Sequence, residues 1–159
     1  MKRLVVVTAL VCLAVPGVVS AQGESGATAS SVERQLEPLL NELILAANAH
    51  DTDRFLASYL HGPALVSVFN GTVTKGWDNL EKLQLKWWNN GKSDVVYVQR
   101  GPSEFTVLGP DAAVVTNEME SRRVLADGKE STGEFTVTMV WQKRVEGWRI
   151  VQVHESTVH

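Results

Sequence analysis

An alternating strand that ends in Trp141, turns, and returns as Gly147-Trp148-Arg149-Ile150-Val151-Gln152-Val153-His154-Glu155-Ser156 constrains this chain more than any other stretch. Alternation with period two on both arms requires a sheet, and a hairpin then dictates which residues stand opposite one another. A turn of two or four residues between Lys143 and Trp148 pairs odd positions of the first arm with even positions of the second. Trp141 then faces Ile150, and Val137 faces His154. One strand earlier, Leu125-Ala126-Asp127-Gly128-Lys129-Glu130 carries the Asp-Gly signal of a tight primed turn. It sets Val124 against Ser131, Glu120 against Phe135 and Glu118 against Val137. Glu118, Val137 and His154 are thereby expected in one row, with Glu118 and His154 two strand spacings, about 10 Å, apart on the same face.

That face divides into two zones. Val114, Thr116, Met139, Trp141, Trp148 and Ile150 form an apolar end, whereas Glu118, Glu120, Arg122, His154 and Ser156 form a polar one. The division predicts the wall of a pocket with an acid-base pair at its polar side. The same polar residues lie toward a strand end, where solvated charges are common, and Glu120 with Arg122 also reads as a surface pair. The opposite face, with Thr132, Glu134, Thr136, Thr138 and Gln142 beside Arg149, Val151 and Val153, fits either a solvated sheet surface or a two-fold homodimer interface.

Residues 1–21 read as a secretory signal: Lys2 and Arg3, an apolar run from Leu4 to Val15, then Val19-Ser20-Ala21 as a small-residue cleavage site. The run is too short to span a bilayer, so no stable membrane anchor is expected, and the mature chain is exported to the periplasm or the exterior. Cys12, the single cysteine, lies inside this run and follows Val11, which argues against lipidation. Beyond residue 21 there is therefore no disulfide and no thiol nucleophile. The remaining 138 residues carry 13 basic and 18 acidic side chains, a balance unsuited to nucleic acid. They suffice for one domain, expected at 31–159 after a small, polar, flexible leader at 22–30.

Ser30 and Glu33 have capping-box spacing, and Val32, Leu36, Leu39, Leu40, Leu43, Ala46 and Ala47 recur at helical intervals, with Pro38 as a kink or a later start. Asp51-Thr52-Asp53 caps a short second helix bearing Phe55, Leu56 and Tyr59. Asn70-Gly71 marks a hairpin between Pro63 to Phe69 and Thr72 to Thr74. The sequon Asn70-Gly71-Thr72 is explained by that turn. Gly76 opens a third helix with Trp77, Leu80, Leu83, Trp87 and Trp88 as its stripe, and Asn89-Asn90-Gly91 stops it. From Asp94 onward the chain reads as strands. Helices first, one helix interposed and then a long antiparallel meander is an α+β order: a cone-shaped, curved antiparallel sheet wrapped around N-terminal helices and enclosing a cavity.

The paired helices ending His50-Asp51-x-Asp53, the Tyr59 helix before a hairpin, Gly76-Trp77 opening the third helix and the closing Gly147-Trp148-Arg149-Ile150 through His154-Glu155-Ser156 resemble the nuclear transport factor 2-like (cystatin-like) superfamily, in particular its SnoaL-like members of unassigned function. The resemblance spans roughly 32–159. It implies a fold rather than an activity, because that fold carries isomerases, dehydratases, cyclases and oligomerisation modules. Members acting as ketosteroid isomerases use a carboxylate on the first hairpin, and here Phe55 to Trp77 contains neither Asp nor Glu. Members resembling scytalone dehydratase use histidines, a carboxylate and tyrosines, a set that His154, Glu118, Tyr59 and Tyr97 imitate if they converge.

His50-Asp51-x-Asp53 and His61 could suggest a metal, but His50 and Asp51 sit at a helix junction where capping accounts for them, so no metal is expected, and no motif for a nucleotide, a cofactor or a serine nucleophile is present. The expected function is an exported protein binding a small, partly apolar molecule. Glu118 and His154 are its candidate catalytic pair, and Tyr59, Trp77, Trp87, Tyr97, Arg122, Met139 and Trp141 its ligand contacts. The alternatives are an acid-base lyase or isomerase using His154 and Glu118, and an oligomerising structural module.

Overall fold

Apolar residues at helical spacing build the first element. A computed structural model describes residues 21–157, and the signal segment apart from Ala21 lies outside them. Helix α1 (Ala21–Asn48) buries Val32, Leu36, Leu40, Leu43, Ala46 and Ala47, one stripe on one side. It starts earlier than expected. Residues 22–30 continue the helix instead of forming a separate leader, because lengthening an existing helix gains a hydrogen bond for each residue fixed. Pro38 lies inside α1 on its exposed side and does not end it.

Asp51 caps helix α2 (Thr52–Leu56), its carboxylate accepting from the Arg54 N–H at 3.0 Å. Strands β1 (Val66–Phe69) and β2 (Thr72–Lys75) meet at Asn70-Gly71, whose positive φ values of 45° and 82° are those of a type I′ turn. The Asn70 side chain is also engaged: its amide donates to Thr157 Oγ1 at 3.1 Å and its carbonyl accepts from the Thr157 N–H at 3.0 Å. Helix α3 (Trp77–Trp87) follows Gly76 and ends at the left-handed run Asn89, Asn90, Gly91.

Strands β3 (Val96–Gln99), β4 (Glu104–Gly109), β5 (Ala112–Val124), β6 (Glu130–Arg144) and β7 (Gly147–Thr157) complete a seven-stranded sheet of order β2-β1-β7-β6-β5-β3, with β4 also paired to β5. One pair departs from the expected antiparallel arrangement: β1 and β7 run parallel, since no hairpin joins them and the rest of the domain intervenes. Asn48 ties the end of α1 to β3, donating to the Tyr97 carbonyl at 3.0 Å and accepting from the Tyr97 N–H at 2.7 Å. The helices thus cover the inner face of the sheet around a core of Leu36, Leu56, Leu65, Val115, Trp141 and Ile150.

Two one-residue differences in register decide which side chains face that interior. In β5–β6, Glu118 pairs with Thr136 and Asn117 with Val137, because the connecting loop has three residues rather than two. The Leu125 N–H donates to Lys129 O, and Gly128 takes φ 80° as the left-handed residue of a type I turn with a bulge. In β6–β7, Trp141 does face Ile150, but Val140 then pairs with Gln152, so that Val151 is an extra, bulged residue. Beyond the bulge Val137 faces Glu155, and His154 faces Thr138.

Candidate functional site

The inner faces of β5, β6 and β7 carry Asn117, Val137 and Glu155 in a single row, and β1 adds Ser67 beside Val153 and Phe69 beside Glu155. Together with α1, α2 and α3 they enclose a cavity of about 400 Å³. Its floor is aliphatic, with Leu40, Leu43, Leu80, Met139 and Val153. One wall is a chain of rings in which Tyr59 meets Phe55 at 5.4 Å, Phe55 meets Trp88 at 5.1 Å, Trp88 meets Tyr97 at 6.4 Å and Tyr97 meets Phe135 at 6.2 Å between centroids. Phe69 and Trp87, 4.9 Å apart, form the other side of the mouth. Edge-to-face and tilted contacts of this kind hold the rings in place while leaving faces and edges open to a guest.

Few polar groups interrupt this lining. Asn117 is 3% exposed, and its Oδ1 is buried with no hydrogen-bond partner among the described residues. Glu155 is half-buried, and no hydrogen bond or ion pair reaches its carboxyl among the described residues. Burial in these surroundings pushes that carboxyl up to about 7. The hydroxyl of Tyr59 is raised well above its ordinary range by burial and then by the charge of Glu155; burial also raises Tyr97, whose hydroxyl accepts from Trp88 Nε1 at 3.0 Å. At the rim, Arg123 pairs with Asp94 at 2.9 Å and Glu134 with Arg100 at 2.6 Å, so the charges there are already matched. A carboxyl near neutrality in an apolar cavity can hold or release a proton at physiological pH, the property required of a general acid or base.

Tyr59, Trp87, Tyr97 and Met139 line the cavity, as the sequence leads one to expect. Five expected residues do not. Glu118 and His154 share a face, in adjacent rows, but it is the outer one: both are exposed, because the three-residue loop and the bulge reverse their side. Arg122 is exposed on that outer face and pairs with Glu120. Trp141 is fully buried in the core below the cavity, and Trp77 packs on His61 at 4.5 Å with its Nε1 donating to Leu56 O at 3.4 Å. The two-zone face is therefore two faces: Met139, Trp141, Trp148 and Ile150 point in, whereas Val114, Thr116, Glu118 and His154 point out. Glu155, Asn117 and Phe69 are among the lining residues that sequence reasoning passes over. His50, for its part, donates through Nε2 to Val95 O at 2.8 Å, and no group of three or more potential metal ligands exists among the described residues.

The SnoaL-like domain family matches residues 36–159. No curated protein matches the chain. Among solved structures, an NTF2-like protein of unknown function from Shewanella oneidensis is 24% identical, with a TM-score of 0.64 over 79% of this chain and 98% of its own. The association domain of C. elegans CaMKII is 20% identical, with a TM-score of 0.67 over 82% and 98%. A ketosteroid isomerase-like protein from Erwinia carotovora atroseptica is 19% identical, with a TM-score of 0.63 over 79% and 95%. At these identities the structures share a fold, that of the NTF2-like protein among them, and on the match over residues 36–159 the chain belongs to the SnoaL-like domain family.

Proposed function

We propose that this protein binds a small, mainly apolar molecule inside the cone of its sheet. The observation that carries the reading is the 400 Å³ cavity, ringed by aromatic side chains and interrupted by the Glu155 carboxyl, which has no partner among the described residues. A core packed for stability alone holds few voids larger than a water molecule, so this much empty volume beside an unpaired carboxyl supports a binding site. Val137 stands between Asn117 and Glu155 and is the residue to enlarge. Val137→Phe is expected to fill the cavity, change stability by less than about 2 kcal/mol and abolish the thermal shifts that apolar aromatic compounds give the native protein. Identical shifts in the variant would place binding elsewhere.

The second reading is acid-base chemistry, with Glu155 rather than Glu118 or His154 as the proton carrier. The specific observation in its favour is a carboxyl held at about 7 beside two tyrosines that stay protonated, a base and two hydroxyl donors around one space. A similar fold in a ketosteroid isomerase-like protein is compatible with this and does not by itself argue for it. Deuterium exchange at the α-carbon of a bound cyclic ketone provides the test. Exchange faster than in buffer is expected for the native protein and absent in Glu155→Gln; exchange at the buffer rate in both sinks the reading.

A further inference from the structure

Among the described residues Glu155 is the charged group of the cavity that neither a cation nor a hydrogen-bond donor answers, and aromatic rings surround it. We propose that the ligand is an apolar amine, its ammonium group seated against the Glu155 carboxylate and its ring system held along the Phe55, Trp88 and Tyr97 wall. This rests on the reading of the cavity as a ligand site and specifies what enters it.

Four observations converge. Glu155 faces the cavity from β7, half-buried, with no hydrogen bond reaching its carboxyl among the described residues. Among the described residues Glu155 is the one charged lining residue without an ion-pair partner, since Arg123 and Glu134 at the rim are committed to Asp94 and Arg100. Asn117 and Glu155 lie in one row, their backbones two strand spacings or about 10 Å apart, and both face the same space over Val137. The faces and edges of several aromatic rings border that space, and ring faces attract cations most strongly where water is excluded.

Other ligand charges fit less well. An anion would meet Glu155 with no free cation to offset it among the described residues, and a ketone oxygen has no proton to donate to the carboxylate. An ammonium group donates to Glu155 and returns the charge compensation that desolvation removes. The titratable groups facing Glu155 from neighbouring elements are Tyr59 and Tyr97, both raised further from neutrality. At about pH 8 the carboxylate is therefore the charge a ligand meets, while an alkylamine keeps its proton.

Matched indole compounds test this on the full-length protein at about pH 8: tryptamine, the neutral tryptophol and the anionic indole-3-propionate, titrated by calorimetry. Tryptamine is expected to bind about 10–100-fold more tightly than tryptophol, with indole-3-propionate weakest, and Glu155→Gln is expected to collapse the ratio between the first two. Tryptophol binding as tightly as tryptamine overturns the amine and leaves the ligand site standing. Binding by none of the three overturns the amine as well. Thermal shifts with neutral apolar compounds that vanish in Val137→Phe then show whether the site itself survives. The native order of the three ligands decides the matter even if Glu155→Gln fails to fold.

Discussion

Trp141→Ala is expected to lower the unfolding free energy by about 3–5 kcal/mol and the melting temperature by about 10–20 °C. The indole is completely buried and stands in a row between Ala113 and Ile150, both themselves inaccessible. Ala113 is small where Trp141 is large, so the ring fills space that its neighbour leaves, and truncation opens a void that strand backbones on both sides prevent from closing. One part of the ring contributes nothing: Nε1 is buried without a partner among the described residues, whereas the Trp148 indole donates to Gln35 Oε1 at 3.2 Å. Trp141→Phe should accordingly cost much less than the alanine variant, since it removes an unsatisfied donor along with part of the ring. Urea denaturation at constant m-value measures both. A loss below about 1 kcal/mol for Trp141→Ala would mean that solvent or a rearranged neighbour fills the space. Because Trp141 lies beneath the cavity rather than in its wall, the expected damage is to stability, and a folded remainder keeps the ligand site.

Where the chain displayed repeated local signals, the fold could be read from it. The stripe from Val32 to Ala47, the Asp51 cap, the Asn70-Gly71 turn and the Gly76 opening of α3 each rest on residues close in sequence, and each occurs as those residues require. The site escaped because it depends on parity across three strands. In β6 the odd positions Phe135, Val137, Met139 and Trp141 face inward, and in β5 the odd positions Ala113, Val115, Asn117 and Met119 do so. Bringing two odd sets to one face requires an odd loop, and the Asp127-Gly128 pair supplies one as readily as it supplies a two-residue turn. Consistency along whole strands therefore outranks the dipeptide. In β7 the apolar parity changes midway, from Trp148 and Ile150 to Val151 and Val153, and a bulge is the only device that keeps both pairs of residues near the core. Each of these shifts is one residue, and together they exchange Glu118 and His154 for Asn117 and Glu155. The aromatic wall is less accessible to such reasoning, since Phe55, Trp88 and Tyr97 come from three elements that meet only when the sheet curls.

Glu155→Gln is expected to make the protein more stable above neutral pH and to leave it without its proposed ligand. The carboxyl ordinarily titrates at 4.5 and is pushed up to about 7 by burial, so the folded chain holds this proton more tightly than the unfolded one. The contribution is fully present below about 4.5, declines as pH rises, and is gone just above about 7, where an ionised group sits in an apolar cavity without a partner. The full span corresponds to no more than about 3 kcal/mol, reduced by whatever solvent reaches the cavity mouth. Glutamine carries no charge to desolvate. The variant should therefore match the native protein near pH 4, exceed it by about 1–3 kcal/mol at pH 8, and lose this segment of the stability profile between them. Parallel profiles for the two proteins from pH 4 to 8 would mean that Glu155 is solvated and its carboxyl ordinary, which would remove the support for both its proton chemistry and its ammonium partner. A cationic ligand predicts a further distinction: bound at saturation, it should flatten the native profile by compensating the carboxylate and leave that of Glu155→Gln unchanged. A side chain that weakens the empty protein and is relieved by its guest is what a binding site built into a hydrophobic core entails, because the affinity for the guest is drawn from the instability of the vacant cavity.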